Sequence, residues 1–142
     1  MNPNFVLPKI GELPVLASIE SICKFEKLPT YVCENPSEGA KKAADIVVSA
    51  INSHAGDKKF VLGLSTGRTP LGLYSELVKR YKAGEVSFKN VEVYSLDEFY
   101  PMTPENPQSR NHRVYNEFLN YVDIDPSNVH FPRWYSTFRE CA

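Results

Sequence analysis

The sequence predicts a doubly wound, three-layer α/β/α fold with a mainly parallel sheet. Two short apolar runs, residues 60–64 (FVLGL) and 91–96 (VEVYSL), have the length and composition of strands. Between them, apolar residues recur at the three- and four-residue spacing of an amphipathic helix. A strand, a crossover helix and a second strand form a βαβ unit, whose strands lie parallel. Because residues 60–64 show little alternation of apolar and polar side chains, we expect this strand to be covered on both faces.

Prolines divide the N-terminal part of the chain into short pieces. Five of them lie within residues 1–36, so regular structure there must be brief. Apolar residues recur every third position within residues 19–28, which predicts one docked helix, and residues 30–33 predict a short strand. We therefore expect residues 1–29 to be an extension and residues 30–142 to belong to the domain.

Three helices are predicted in the remainder of the chain. Each starts at a Ser or Thr whose side chain would accept a hydrogen bond from the first turn. The N-caps and spans are Ser37 for residues 37–54, Thr69 for a helix that begins at Pro70 and ends at Gly84, and Ser109 for residues 110–121. A last apolar stretch, residues 129–131, predicts another short strand.

A small polar loop joins the first strand to the second helix. It consists of Ser65, Thr66, Gly67, Arg68 and Thr69. Backbone N–H groups in such a loop, together with the free donors at a helix N-terminus, bind anions. The nucleotide motifs G-x-x-x-x-G-K-[ST] and G-x-G-x-x-G are both absent. The loop therefore predicts a binding site for the phosphate of a small ligand, and a purely structural tight turn is the alternative.

Two adjacent carboxylates, Asp97 and Glu98, follow the second strand. Parallel strands end at the same edge of a sheet, where open α/β folds bind ligands, so we expect the carboxylates near the loop, at roughly 5 to 10 Å. A carboxylate there would act as a general base on a carbon next to a carbonyl, as in sugar isomerases. Solvated side chains that cap a turn are the alternative.

Basic residues near this edge are candidates to pair with phosphate. They are Arg68, Arg110, His112 and Arg113. Exposed positions on a loop and on a helix face are an equally good interpretation for each of them.

Composition indicates one globular domain and argues against several partner classes. The chain has 142 residues, 42% of them hydrophobic, which suffices for one core. Sixteen Lys and Arg against 17 Asp and Glu give a net charge of −1, without a basic block for nucleic acid. No apolar run approaches the ~18 residues of a membrane helix, and the N-terminus lacks a signal-peptide pattern. We expect a cytoplasmic protein that binds neither nucleic acid nor membrane.

Cysteine and histidine are too scattered to predict a metal or redox site. Cys23, Cys33 and Cys141 are widely spaced and odd in number, which argues against a disulfide framework and a zinc ribbon. The three histidines form no pair at metal-binding spacing. We expect reduced thiols, no metal and no cofactor.

Several segments, in this order and spacing, resemble the glucosamine-6-phosphate deaminase (isomerase) family, which is related to the 6-phosphogluconolactonases. They are GLSTGRTPLGLYSELV, KAGEVSFKNVEVYSLDEFY, PENPQS and NEFLNYVDIDPSNVHF, within residues 30–132. The resemblance implies a Rossmann-like domain that acts in amino-sugar metabolism. The implied reaction converts glucosamine 6-phosphate and water to fructose 6-phosphate and ammonia.

The resemblance also implies roles for individual residues. Asp97 matches the family aspartate that moves a proton between C2 and C1, and Thr66, Gly67 and Thr69 match the turn that holds the phosphate.

Three residues depart from the family pattern. Arg68 replaces a small residue, Phe99 replaces a frequent Tyr, and Arg110 stands where an aromatic residue is common. The departure at Arg68 would crowd the phosphate or add a charged contact to it, and the one at Arg110 would change substrate preference.

The family's ring-opening Asp-x-His motif, a Glu and later Arg and Lys phosphate ligands would follow residue 142. The resemblance thus implies the N-terminal part of a longer, homo-oligomeric enzyme that binds glucosamine 6-phosphate, and no deaminase activity for residues 1–142 alone. One alternative is a non-catalytic sugar-phosphate-binding or regulatory module. Another is a 6-phosphogluconolactonase, in which Arg would more often stand at the position of Phe99.

Overall fold

The fold is α/β, with helices alternating with the strands of a parallel sheet, which confirms the predicted class. The computed structural model describes residues 31–55 and 57–132. Contacts divide the chain into residues 1–32 and 33–142, and the fold described below lies in the second unit. The described residues of this unit form α1 (Pro36–Ser53), β1 (Phe60–Leu64), α2 (Leu71–Lys82), β2 (Val91–Ser95), α3 (Arg110–Glu117), the 3₁₀ turns Leu119–Tyr121 and Pro126–Asn128, and β3 (Val129–His130).

The three strands in the described part of the chain are parallel, in the order β1-β2-β3. The register of the first pair runs from Phe60 opposite Val91 to Leu64 opposite Ser95. Beyond the strands, the N–H of Leu96 donates to the carbonyl of Leu64 at 3.0 Å. The chain therefore leaves β1 and β2 at the same edge of the sheet.

One face of the sheet carries the core. Leu64, Val91 and Val93 are buried there against residues from all three helices, which include Ala44, Val48, Tyr74, Leu77 and Val114. On the opposite face Val61 is 60% exposed and Tyr94 is 44% exposed. The prediction that β1 is covered on both faces is therefore wrong for the part of the chain that the structure describes. The helices within residues 31–55 and 57–132 all pack on the inner face.

The helix starts differ from two of the three predicted caps. Asn35, whose side chain accepts from the N–H of Glu38, caps α1, and Ser37 lies inside its first turn. Asn35 precedes Pro36, which suits the first helical position, so this pair outcompetes Ser37. Pro70 occupies the N-cap position of α2 and no side chain of the described residues caps this helix, so the prediction of Thr69 as N-cap is wrong.

The end of α2 is a glycine turn, as predicted. Gly84 has φ of +75°, its N–H donates to Tyr81, and the N–H of Glu85 donates to Arg80. This pair of bonds satisfies the last carbonyls of the helix, and the left-handed conformation favours glycine.

The predicted cap of α3 is confirmed, but the helix is shorter than predicted. Ser109 is fully buried and its Oγ accepts from the N–H of His112 at 2.9 Å. The helix ends at Glu117 because Phe118 leaves helical geometry, with φ of −147°. This turn buries the Phe118 ring against Tyr74 and Phe88.

Other predictions have mixed outcomes. Residues 31–33 have no regular secondary structure, so the predicted strand is wrong there. The predicted helix within residues 19–28 lies outside the described residues. None of the helices within residues 31–55 and 57–132 combines the length and apolarity needed to span a bilayer.

Candidate functional site

The structure brings the polar loop and the carboxylates to one edge of the sheet. Ser65 directly follows Leu64, and Asp97 comes two residues after Ser95, the residue paired with Leu64. The bond between the Leu96 N–H and the Leu64 carbonyl keeps the two exit segments together. Both predicted parts of the site therefore start from neighbouring strands.

The loop has a backbone conformation that favours glycine. Gly67 has φ of +118°, and a Cβ added there would meet no atom within 4 Å. The requirement for glycine is therefore conformational rather than steric. Gly67 lets the chain turn sharply between β1 and the first turn of α2.

The polar side chains of the loop have few partners. Ser65, Arg68 and Thr69 are exposed. Within residues 31–55 and 57–132, Arg68 has no hydrogen bond or ion pair, and the buried Oγ1 of Thr66 has no hydrogen-bond partner. Since α2 also has no side-chain cap, the donors of its first turn and the Arg68 guanidinium are available to an anion.

The loop borders an open cleft of about 690 Å³ between the first turns of α1 and α2. Ser65, Arg68 and Thr69 line it on one side, and small residues of α1 such as Gly39 and Ala40 line the other. The two helices approach closely, because a Cβ at Gly72 would lie 3.2 Å from the Ala40 Cβ. Asp97 and Glu98 do not line this cleft.

Tyr74 holds the first residue of the loop, a contact that the sequence interpretation missed. Its ring is 2% exposed and stacks on Phe118, and its hydroxyl donates to the carbonyl of Ser65. Burial, with a smaller contribution from the charge of Glu117, raises the pKa of Tyr74 to about 12. A tyrosine on the buried face of a helix needs a hydrogen-bond partner for its hydroxyl, and this requirement could have indicated from the sequence that Tyr74 binds a nearby polar group.

Replacement of Tyr74 with phenylalanine is expected to lower the free energy of unfolding by about 1 kcal/mol at neutral pH, because a buried hydrogen bond is lost. The difference should then shrink as the pH rises above 10 and change sign below pH 12, so that the phenylalanine variant becomes the more stable protein. The unfolded tyrosine ionises near its ordinary pKa of 10.0, whereas the folded one stays neutral up to about 12. The wild type therefore loses on the order of 2 kcal/mol across that window.

Urea unfolding of both chains between pH 7 and 12 measures this effect. Other titrating groups are common to both proteins, so their contributions cancel in the difference. If the difference in free energy of unfolding between the two proteins stays constant across this pH range, the raised pKa of Tyr74 is contradicted.

Asp97 is half-exposed, at 51%, and is held at two points. Its Oδ2 accepts from Nε of Arg110 at 3.0 Å, and its backbone carbonyl accepts from Oγ of Ser95 at 3.0 Å. The carboxylate is therefore accessible to a ligand while its orientation is restrained.

Glu98 has a different environment. Its Oε1 accepts from the N–H groups of Phe99 and Arg110, both at 2.8 Å, and its Oε2 accepts from the N–H of Asn111 at 3.0 Å. Three backbone bonds occupy most of the acceptor capacity of this carboxylate. The two carboxylates, which the sequence places side by side as catalytic candidates, therefore have different surroundings.

Two basic residues on α3, Arg110 and Arg113, form ion pairs. Arg110 pairs with Asp97, and its guanidinium lies 4.1 Å from the centre of the Phe99 ring. Arg113 pairs with Glu117 at 3.0 Å on the same helix. Of the four basic candidates, Arg68 and His112 have side chains without a hydrogen bond or ion pair among the described residues, and of these two Arg68 lies in the predicted loop. Among the described residues, no group of three His, Cys, Asp or Glu is placed to hold a metal ion.

Sequence and structure comparisons identify the family. The model of the family described as glucosamine-6-phosphate isomerases/6-phosphogluconolactonase matches residues 34–139, most of the chain. The chain belongs to this family. The family comprises deaminases, or isomerases, and lactonases, as the names of its members below indicate.

Curated relatives include deaminases from bacteria and an isomerase from a yeast. The chain is 43% identical over 105 residues to a glucosamine-6-phosphate deaminase of Thermoanaerobacter sp. (strain X514), which covers 74% of this chain and 40% of the relative. It is 38% identical over 99 residues to a glucosamine-6-phosphate isomerase of Candida albicans, with 70% and 39% covered. The chain thus spans about 40% of the length of these relatives.

Solved structures of both branches share the fold. A monomeric glucosamine-6-phosphate deaminase matches with a TM-score of 0.70 and 28% identity, over 77% of this chain and 44% of that one. A 6-phosphogluconolactonase from Leishmania guyanensis matches with a TM-score of 0.61 and 26% identity, over 73% and 38%. Within these family members, the present chain corresponds to a partial domain.

Proposed function

We propose that this chain supplies part of the active site of a glucosamine-6-phosphate deaminase. In this proposal the loop from Ser65 to Thr69 binds the substrate phosphate, and Asp97 moves a proton between C2 and C1. The overall reaction takes up water, releases ammonia and gives fructose 6-phosphate. Residues 30–142 would form the N-terminal portion of the enzyme domain, and residues 1–29 an extension.

The observation that carries the proposal is the shared sheet edge. Ser65 and Asp97 leave neighbouring parallel strands whose register pairs Leu64 with Ser95. Neighbouring strands lie about 5 Å apart, so a ligand the size of a sugar phosphate can contact both segments. The edge offers anion donors on one strand exit and a carboxylate on the next.

Phosphate binding in this proposal uses backbone donors first. The uncapped first turn of α2 and the loop around Gly67 present N–H groups at the positive end of the helix dipole. Arg68, unpaired within the described residues, adds a formal charge. The glycine conformation and the Tyr74 bond to Ser65 would hold these donors in place before the ligand arrives.

Proton transfer in this proposal uses Asp97 as a general base. Its half-exposed carboxylate is open to a ligand, and Ser95 and Arg110 restrain its position. General acid-base groups held in this way typically contribute about 10² to 10⁴ in rate.

A deaminase is favoured over the two alternatives by similarity. Curated deaminases match in sequence at 42% to 46% identity, and the solved deaminase structure matches with a higher TM-score than the solved lactonase structure, 0.70 against 0.61. Phe99, at the position where a lactonase would more often have Arg, points in the same direction. A non-catalytic module would not require the restrained carboxylate of Asp97.

The test is a chimera that supplies the remaining length of a relative. Residues 34–132 of this chain replace the matching segment of the Thermoanaerobacter deaminase, and a smaller chimera carries residues 60–118 in case the larger one does not fold. We expect a folded chimera to release ammonia from glucosamine 6-phosphate and to form fructose 6-phosphate. The 142-residue chain alone should release none above a buffer blank.

The other outcomes decide between the alternatives. A folded chimera that hydrolyses 6-phosphogluconolactone and releases no ammonia would assign the lactonase reaction. A folded chimera that binds fructose 6-phosphate without either reaction would assign a non-catalytic module. The parent Thermoanaerobacter protein, assayed in parallel, shows that the ammonia assay works, and the 6-phosphogluconolactonase from Leishmania guyanensis does the same for the hydrolysis assay.

A further inference from the structure

The carboxylate of Asp97 is fixed mainly by a residue that lies 13 positions later in the chain. Asp97 follows β2 by two residues, and half of its side chain is exposed. Nε of Arg110 donates to its Oδ2 at 3.0 Å. Among the described residues, this is the hydrogen bond that fixes the rotation of the carboxylate.

Arg110 is itself held in one place. Its side chain is only 19% exposed, and its guanidinium lies 4.1 Å from the centre of the Phe99 ring. A planar guanidinium stacks on an aromatic face while its edge still donates hydrogen bonds, which a lysine ammonium does not do. The Phe99 ring therefore restrains the group that restrains Asp97.

Glu98 holds the backbone on which Arg110 stands. Its two oxygens accept from the N–H groups of Arg110 and Asn111, the first two residues of α3. A carboxylate at this position satisfies donors that have no partner in the helix and lies at the positive end of its dipole. The two consecutive carboxylates thus bind the same residue, Arg110. Glu98 binds the backbone N–H of Arg110, and Asp97 binds its side chain.

We propose that Arg110 is a positioning residue for Asp97, and that Glu98 anchors the start of α3 instead of carrying a proton. The proposal rests on the proposed function, because it concerns the orientation of the base in that reaction. An arginine remains charged throughout the physiological pH range, so this restraint is permanent. Displacement of a catalytic base by about 1 Å lowers the reaction rate on the order of 10²-fold, so a restraint on the Asp97 carboxylate would help to maintain the rate.

The first test uses NMR spectroscopy of the 142-residue chain. The Nε–H resonance of Arg110 should be slow to exchange with water in the wild type and should move in Asp97→Asn, because a neutral amide oxygen then replaces the charged carboxylate as its acceptor. The backbone amide resonances of Arg110 and Asn111 should shift in Glu98→Gln, which keeps one acceptor oxygen and limits the risk of unfolding. Resonances that stay unchanged in both variants would overturn the proposal.

The second test measures kinetics in the chimera, with Arg80→Gln as the matched control. The side chain of Arg80 is also mostly buried, at 27% exposed, and makes an ion pair of 2.7 Å with Asp45, but it lies in the last turn of α2, at the end opposite the loop. We expect Arg110→Gln to lower kcat about 10- to 100-fold with KM within about threefold, and Arg80→Gln to leave both nearly unchanged. Equal effects of the two variants would overturn the positioning role.

An isotope effect separates positioning from a loss of folded protein. With glucosamine 6-phosphate deuterated at C2, a misplaced base makes proton transfer more rate-limiting, so the isotope effect should increase in Arg110→Gln. Loss of folded protein lowers the rate without changing the isotope effect, and that result would overturn the proposal.

Glu98→Gln separates an anchor from a proton carrier. We expect this variant to retain at least about a tenth of the wild-type kcat, since an amide oxygen still accepts from the helix N-terminus. A folded Glu98→Gln chimera as inactive as Asp97→Asn would overturn the anchoring role. An inactive but folded wild-type chimera would contradict the proposed function. The NMR experiment does not depend on activity, so it tests the contacts of Arg110 and Glu98 in either case.

Discussion

Replacement of Asp97 with asparagine is expected to lower kcat of the chimera by about 10² to 10⁴, the range for loss of a general base. Binding of fructose 6-phosphate should stay within about threefold, because the amide has nearly the same volume and the phosphate loop is untouched. The amide oxygen can still accept from Arg110, so the fold at the sheet edge should survive. Ammonia release and calorimetric titration with fructose 6-phosphate measure the two quantities.

Asp45 provides a matched control for this substitution. Its side chain is 54% exposed, against 51% for Asp97, and it also pairs with an arginine, Arg80, at 2.7 Å. Asp45→Asn removes the same charge from α1 and should leave kcat nearly unchanged. Full activity in Asp97→Asn, or an equal loss in Asp45→Asn, would eliminate Asp97 as the base.

The strands were predictable because their signals are local. The apolar run from Phe60 to Leu64 is bounded by polar residues, and the structure gives β1 the same limits. The second run, from Val91, was predicted one residue too long. Parallel pairing follows from the intervening helix, and pairing alone brings Ser65 and Asp97 to one edge. This part of the candidate site therefore follows from composition and order.

Burial of the sheet was not predictable in the same way. Val61 is as apolar as its neighbours in β1, yet it lies on the open face. An apolar strand indicates which side chains prefer to leave water, but not which other elements supply the cover. That information depends on contacts between distant parts of the chain.

The different surroundings of Asp97 and Glu98 could not be predicted from the sequence either. The two residues are adjacent, acidic and at the end of one strand, so the sequence treats them alike. Their surroundings differ because the N-terminus of α3, 12 to 13 residues later in the chain, lies against Glu98 and donates hydrogen bonds to it. A proline-rich loop without regular structure joins the two segments, and no local pattern predicts its path.

Helix caps show the same limit on a smaller scale. Asn35, Ser37 and Thr69 all belong to residue types that cap helices, and local preference does not rank them reliably. At α1 the residue just before a proline caps the helix, and at α2 none of the candidates does. The uncapped start of α2 matters most, because it leaves donors at the predicted phosphate loop.

Replacement of Gly67 with alanine is expected to raise the chimera's KM for glucosamine 6-phosphate by about 10- to 100-fold. A φ of +118° is unfavourable for any residue with a Cβ, so the loop must change conformation. Each backbone bond to a charged phosphate is worth about 1.5 to 3 kcal/mol, and losing one corresponds to that change in affinity. Because the added Cβ would meet no atom within 4 Å, a steric clash does not account for the effect.

Gly84 is the matched control for this prediction, since it also has a positive φ, +75°, and open space around its Cβ position. It lies beyond the opposite end of α2 from the loop, so Gly84→Ala should carry a similar cost in stability without a change in KM. Urea unfolding of the 142-residue chains gives the first quantity and kinetics of the chimeras the second. If both alanine variants lower stability and only Gly67→Ala raises KM, the loop binds the phosphate. If neither variant changes KM, Gly67 serves only the turn between β1 and α2, and the phosphate must bind elsewhere on the sheet edge.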